Sequence, residues 1–223
     1  PSRGLGDVYK RQIVDPELMY SMPKGLTAAT GMDALTHAIE SYITPGAWVM
    51  SDMFELKAIE MIAQNLKAAV DNGKDVAARE AMSQAQYIAG MGFSNVGLGI
   101  VHSMAHPLGA FYDTPHGVAN ALLLPYVMEY NAESPAAPKY IHIAKAMGVD
   151  TTGMSEAEGV KAAVEAVKAL SASINIPQKL HEINVKEEDI PALAVAAFND
   201  VCTGGNPRPT SVADIEALYR KAF

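Results

Sequence analysis

Apolar positions recur at helical spacing along most of the chain. In "LTAATGMDALTHAIESYI" (26–43) they fall three and four residues apart and stop at Pro45-Gly46, which predicts a helix with a firm C-terminal end. "SDMFELKAIEMIAQNLKAAV" predicts a second helix, with Ser51 as its N-cap and Asn72-Gly73 just past its end. "VAAREAMSQAQYIAGMGF" predicts a third, whose Ala85, Ala89, Gly90 and Gly92 are small enough to let another helix approach closely. "GLGIVHSMAHPLGAF" predicts a fourth, ended or kinked at Pro107, because proline lacks the amide donor and its ring clashes one turn back. Thr114 and Pro115 read as the N-cap and first residue of "PHGVANALLLPYVMEYN".

The same period continues to the end of the chain. "SEAEGVKAAVEAVKALSASI" opens with a capping box, Ser155 and Glu158. "KEEDIPALAVAAFND" carries acids in its first turn, where the helix dipole favours them, and "TSVADIEALYRKAF" carries Arg220 and Lys221 in its last. The one strand-like piece is short, near Gln12 to Val14. No fixed-period repeat and no low-complexity segment is present. The pattern predicts an all-α fold of several helices.

Composition narrows the function classes. With 223 residues, 49% of them apolar, the chain can bury a full core. Seventeen basic against 25 acidic groups leave a net charge of −8, which argues against nucleic acid as a partner. No apolar run reaches the length of a membrane span, and no signal peptide with a cleavage site is evident. A single cysteine, Cys202, excludes an internal disulfide framework and fits a cytoplasmic location. The first dozen residues, "PSRGLGDVYKRQ", lack an initiator Met. "DVYKRQ" is also one translation of a common sequencing-library transposon end, so residues 1–12 are expected to be adapter-derived and non-native.

The candidate chemistry lies in two segments. In "GMDALTHAIE", Asp33 and His37 stand four apart, on one face of a helix, where they could share a cation or simply a hydrogen bond. In "VHSMAHPLGAFYDTPHG", His102 and His106 are also four apart, on a stretch whose lack of charge points to burial. Buried imidazoles need partners. His116 follows in the first turn of the next helix, where the dipole disfavours imidazolium and so favours the neutral ring that a metal requires. One carboxylate with imidazoles suits Fe(II) or Zn(II) better than Mg(II) or Ca(II). A single carboxylate on a divalent ion leaves a net positive Lewis acid. Spacing alone does not say which three of the four histidines bind. Asp113 reads as a solvated loop residue.

Two long motifs, "TAATGMDALTHAIESYI" and "GMGFSNVGLGIVHSMAHPLGAFYDTPHGVANALLLP", with the tail "DVCTGGNPR", resemble the iron-containing (group III) alcohol dehydrogenases. The likeness runs from about Asp15 to Phe223. It implies that Asp33, His37, His102 and His116 are metal ligands, with iron usual and zinc found in some members. His106 falls on a non-ligand histidine beside the nicotinamide and the substrate, where it could relay the alcohol proton or orient the cofactor. Phe93 and Cys202 fall near the small-substrate pocket, although Cys202 also reads as a plain buried apolar residue.

The family plan joins an α/β domain, which binds NAD(P) through a glycine-rich turn, to an all-helical C-terminal metal domain. This sequence departs from that plan. No glycine-rich phosphate loop follows a strand, and "VCTGGNPR" (201–208) reads as a turn. The resemblance therefore implies a C-terminal metal-binding domain at 23–223 and a remnant of the cofactor domain or linker at 13–22, with the α/β domain missing. It further implies small alcohol or aldehyde substrates, lactaldehyde and propane-1,2-diol among them, and a homodimer for the intact enzyme. The fragment alone is expected to be inactive and to expose apolar surface around "LMYSMP" and "GFSNVGLG". On the residues alone, a metal-dependent hydrolase and a non-catalytic helical domain remain alternatives.

Overall fold

The computed structural model describes residues 13–223. The expected non-native segment, 1–12, lies outside the described residues. Helix α1 (Lys24–Ile43) is buried round most of its circumference, with Met32, Leu35 and Ile39 fully inaccessible. A fully buried side chain of this size contributes roughly 1.5–3 kcal/mol. Three helices pack directly on α1, and the rest pack on these or on one another. The antiparallel pair α2 (Val49–Asp71) and α3 (Val76–Val96) covers one side of it, and α5 (His116–Asn131) lies on another. Helix α4 (Ile100–Tyr112) packs on α5 and on α8 (Ile190–Phe198). Helix α6 (Tyr140–Ala146) packs on α7 (Glu156–Ser173) and α2, and α9 (Val212–Ala222) closes against α8 and α5.

Among the described residues there is no strand, so the all-α expectation stands and the strand near 12–14 does not form at Ile13 or Val14; Gln12 lies outside the described residues. The capping box at Ser155 and Glu158 is present, and a second one, Ser211 with Asp214, opens α9. Helix α2 begins at Val49, ahead of the expected Ser51 cap. Ser51 still serves that end, because its Oγ accepts the Trp48 N–H at 2.9 Å from inside the first turn. Pro115 caps α5 and His116 is its first residue, one position later than expected.

Pro107 neither ends α4 nor marks its boundary: the helix runs on to Tyr112. Burial of Met104, Ala105, Pro107 and Leu108 on both sides of the missing amide holds the helix together where local propensity would stop it. The chain leaves α4 through Asp113, exposed and left-handed at φ 55°, a conformation that Asn and Asp tolerate. "KEEDIPALAVAAFND" divides into a 3-10 turn over Glu187–Asp189 and the short α8.

Two glycines permit close helix approach. A Cβ on Gly92 would meet Glu55 Oε1 at 1.9 Å, and one on Gly117 would meet the Ala29 carbonyl at 2.2 Å. Gly117 therefore lets the first turn of α5, and His116 with it, settle against α1. Gly90, expected to play the same part, has nothing within 4 Å of a Cβ. Exposed apolar side chains include Leu18 in the anticipated "LMYSMP" region. The others are Ile13, Leu26, Trp48, Val49, Met50, Met53, Val76, Phe111, Val195, Phe198 and Val201, and none falls in "GFSNVGLG". Among the described residues, no helix is long and apolar enough to cross a membrane.

Candidate metal centre

The packing of α1, α4 and the first turn of α5 brings Asp33, His37, His102, His106 and His116 into one cluster. On α1, Asp33 and His37 face the same way, one turn apart. His37 Nδ1 donates to the Asp33 carbonyl oxygen at 2.8 Å, which leaves Nε2 as the nitrogen that faces α4. From α4, His102 Nε2 lies 3.2 Å from His37 Nε2 and 3.9 Å from Asp33 Oδ1. The other nitrogen of His102, Nδ1, is 2.5 Å from Glu40 Oε2 and donates there. In these tautomers two imidazole lone pairs confront each other beside a carboxylate oxygen, and neither ring has a proton to offer the other. Donor atoms of Asp33, His37 and His102 all lie within 4.8 Å of one another, a set that can hold a cation. From α5, His116 Nε2 approaches Asp33 Oδ1 to 3.5 Å.

The electrostatics agree with neutral ligand rings. Burial lowers the His37 pKa below the ordinary histidine value, the neighbouring His102 adds to this, and Asp33 opposes it only in part. Burial likewise lowers His116, against the pull of Asp33. Asn120, fully buried on α5, donates to Asp33 Oδ1 at 2.6 Å and sits 3.0 Å from His116 Nε2, while its own Oδ1 has no partner. A buried polar group without a partner costs stability unless something supplies one.

His106 occupies the rim of the cluster. Its ring stacks on His116 with centroids 5.4 Å apart, and its Nδ1 is 2.7 Å from Asp200 Oδ2. Burial raises the Asp200 carboxyl, but the Cys202 N–H and His106 outweigh that and hold it below its ordinary value. Phe93 stacks on His37, with centroids 4.4 Å apart. Asp33, His37 and Phe93 line one cavity of about 440 Å³, whose far wall includes Met19, Met22 and Arg79. Arg79 is buried and fastens that wall by donating to the carbonyls of Met22 and Gly73 and to Thr27 Oγ1. Cys202 lies away from this cavity, beside Asp200, and burial with the Asp200 charge pushes its thiol up to about 12.

The sequence itself matches a family model, Fe-containing alcohol dehydrogenase family, C-terminal, over residues 27–223. The chain belongs to the Fe-containing alcohol dehydrogenase family. It is 57% identical over 217 residues to lactaldehyde reductase of Escherichia coli (strain K12), covering 97% of this chain and 56% of that protein. It is 45% identical to the NAD-dependent methanol dehydrogenase of Bacillus methanolicus, covering 95% of this chain and 55% of that protein. Its fold superposes on the crystal structure of 1,3-propanediol oxidoreductase with a TM-score of 0.92 at 47% identity, covering 94% of this chain and 55% of that one. The chain thus spans about half the length of the relatives it matches.

Three site residues were not foreseen. Glu40 lies three residues past His37 on α1, and that spacing was the signal available. It brings a second carboxylate to a cluster for which the sequence counted one. Asn120 and Asp200 carried no local signal: Asn120 meets Asp33 from another helix, and Asp200 meets His106 across 94 residues of chain.

Proposed function

We propose that Asp33, His37, His102 and His116 hold one divalent ion, Fe(II) or Zn(II). In the whole protein, the site would then serve NAD(P)-linked interconversion of small alcohols and aldehydes, with lactaldehyde and propane-1,2-diol as the leading pair. The observation that carries this reading is the confrontation of His37 Nε2 and His102 Nε2 at 3.2 Å beside Asp33. A divalent ion bound there supplies a Lewis acid that polarises a carbonyl or acidifies an alcohol. A nicotinamide bound in the whole protein would supply the hydride acceptor for alcohol oxidation, the hydroxyl proton leaving separately, and the hydride donor for aldehyde reduction.

This chain's residues account for the rest. Burial favours the neutral rings of His37 and His116, and hydrogen bonds at Nδ1 orient His37 and His102. Phe93 presents an apolar ring beside His37 and lines the cavity of about 440 Å³ next to it, which has ample room for a small alcohol or aldehyde. His106 is exposed and backed by the Asp200 carboxylate, so it can accept the alcohol proton and pass it to solvent. Cys202 is a weak candidate for the substrate pocket, given its place outside this cavity.

The experiment that tests the proposal is NAD(P)H oxidation with lactaldehyde by a full-length protein containing this chain, loaded with Fe(II) or Zn(II) under anaerobic conditions. Metal-dependent turnover that disappears with Asp33→Ala is the expected result. Turnover indifferent to metal removal contradicts the reading. The 223-residue polypeptide by itself is expected to give no NAD(P)-linked turnover.

A further inference from the structure

Glu40 is only 3% exposed, yet it reaches from α1 to α4 with both oxygens engaged. Oε2 takes the His102 Nδ1–H at 2.5 Å, and Oε1 takes the Val101 N–H at 2.7 Å. Val101 is the second residue of α4, whose N-cap, Gly99, has no side chain to offer its free amides. A carboxylate from another helix therefore occupies the place where a capping side chain would lie, at the positive end of the α4 dipole. One side chain thus ties together two helices that carry candidate ligands, Asp33 and His37 on α1 and His102 on α4.

Resting on the metal reading above, we propose that Glu40 is the positioning residue of the centre. Its carboxylate fixes His102 with Nε2 toward the ion and supplies, with Asp33, the second negative charge that makes a divalent centre neutral. Three consequences of the geometry support this. A ring nitrogen that donates to a carboxylate keeps its proton there, so the opposite nitrogen is the basic one, and the basicity of that nitrogen rises. Side-chain rotation of His102 would break the bond from its Nδ1 to Glu40. The charge also sits where solvent does not screen it, since both Glu40 and the His102 side chain are about 2% exposed.

A capping role alone predicts something different: loss of Glu40 would loosen α4 without a specific effect on metal affinity. The test is anaerobic calorimetric titration of the chain with Zn(II) and with Fe(II), on the unmodified protein and on two variants. Glu40→Gln keeps the size and one acceptor but removes the charge. Gly99→Ala leaves every polar group in place, but its Cβ would fall 2.9 Å from Glu40 Oε1 and displace the carboxylate. Helicity and the thermal midpoint of the metal-free variants are recorded alongside. Glu40→Gln is expected to weaken metal binding about ten- to a hundredfold with helicity retained, and Gly99→Ala to weaken it by a smaller factor. Imidazole ¹⁵N spectra should show His102 protonated at Nδ1 in the unmodified chain and mixed between tautomers in Glu40→Gln. Unchanged affinity in both variants, with the unmodified chain binding metal, overturns the role of Glu40 and leaves the metal reading standing. No binding by the unmodified chain overturns the metal reading, and the role of Glu40 falls with it.

Discussion

The histidine cluster has an inner half and an outer half, and they are built differently. In the inner half the side chains of His37 and His102 are 18% and 2% exposed, and each ring has its Nδ1 fixed, on the Asp33 carbonyl and on Glu40. In the outer half, His106 and His116 are 42% and 44% exposed and stack on each other at the mouth. The inner half has its geometry set by buried partners before any ion arrives. The outer half faces solvent, where exchange of substrate and protons is possible. In the proposed reading the inner half fixes its ligands in advance, His116 completes the set from the outer half and His106 beside it moves the proton; one helix, α4, supplies a histidine to each half.

The comparison can be broken most severely from the inside. Replacing Asp33 and His37 together by alanine should abolish binding, with metal content after anaerobic purification falling from about one ion per chain to background, as expected when two ligands are lost. His106→Ala attacks the outer half instead. In the whole protein it should lower alcohol turnover by about 10²–10⁴, the usual range for a proton-transfer group, while elemental analysis shows the metal unchanged. Equal loss of metal in both variants would erase the distinction between the halves.

A third prediction probes the helix pair behind His37. Glu55 is fully buried on α2, and burial pushes its pKa from 4.5 to about 8. The folded state therefore keeps a proton that the unfolded chain gives up. The Glu55 contribution to stability is fully present below about pH 4.5, falls as pH rises, and is lost above about 8, with a slope near 1.4 kcal/mol per pH unit at most. Thermal denaturation from pH 5 to 8.5 should show this decline in the unmodified chain and a shallower one in Glu55→Gln. Parallel profiles would refute it.

His116→Ala, which removes an exposed ligand and leaves the inner three, should weaken metal binding by at least about tenfold, measured by competition with a chelating dye. Smallest of all, Cys202→Ala should change metal affinity by less than about twofold. The Cys202 thiol, raised to about 12, should also react slowly with maleimide at neutral pH.

Much of this was readable in the sequence because one physical signal dominates it. The 3.6-residue period of buried positions located the helices wherever they were long. It failed at places that tertiary contacts decide. The path of α4 through Pro107 depends on burial of its neighbours, and the seven-residue α6, in a stretch with two prolines, shows its period only in Tyr140, Ile143 and Ala144. The site divides the same way. Asp33 with His37, and His102 with His106, announce themselves at a spacing of four on a helix. Glu40 belongs to His102 only because α1 and α4 meet, and a register between helices is not written in local periodicity. Likewise, the placing of Cys202 beside Asp200 is decided by packing and not by local periodicity.

The most direct test of the central claim is X-ray absorption at the metal edge of the purified chain loaded with one equivalent of Zn(II) or, anaerobically, Fe(II). The account predicts three imidazole nitrogens and one carboxylate oxygen in the first shell, at roughly 2.0–2.2 Å for zinc. The outer-ring scattering of three histidines should drop to one or none when His37 and His102 are both replaced. A first shell of oxygens alone, or a spectrum unchanged by that double replacement, would contradict it.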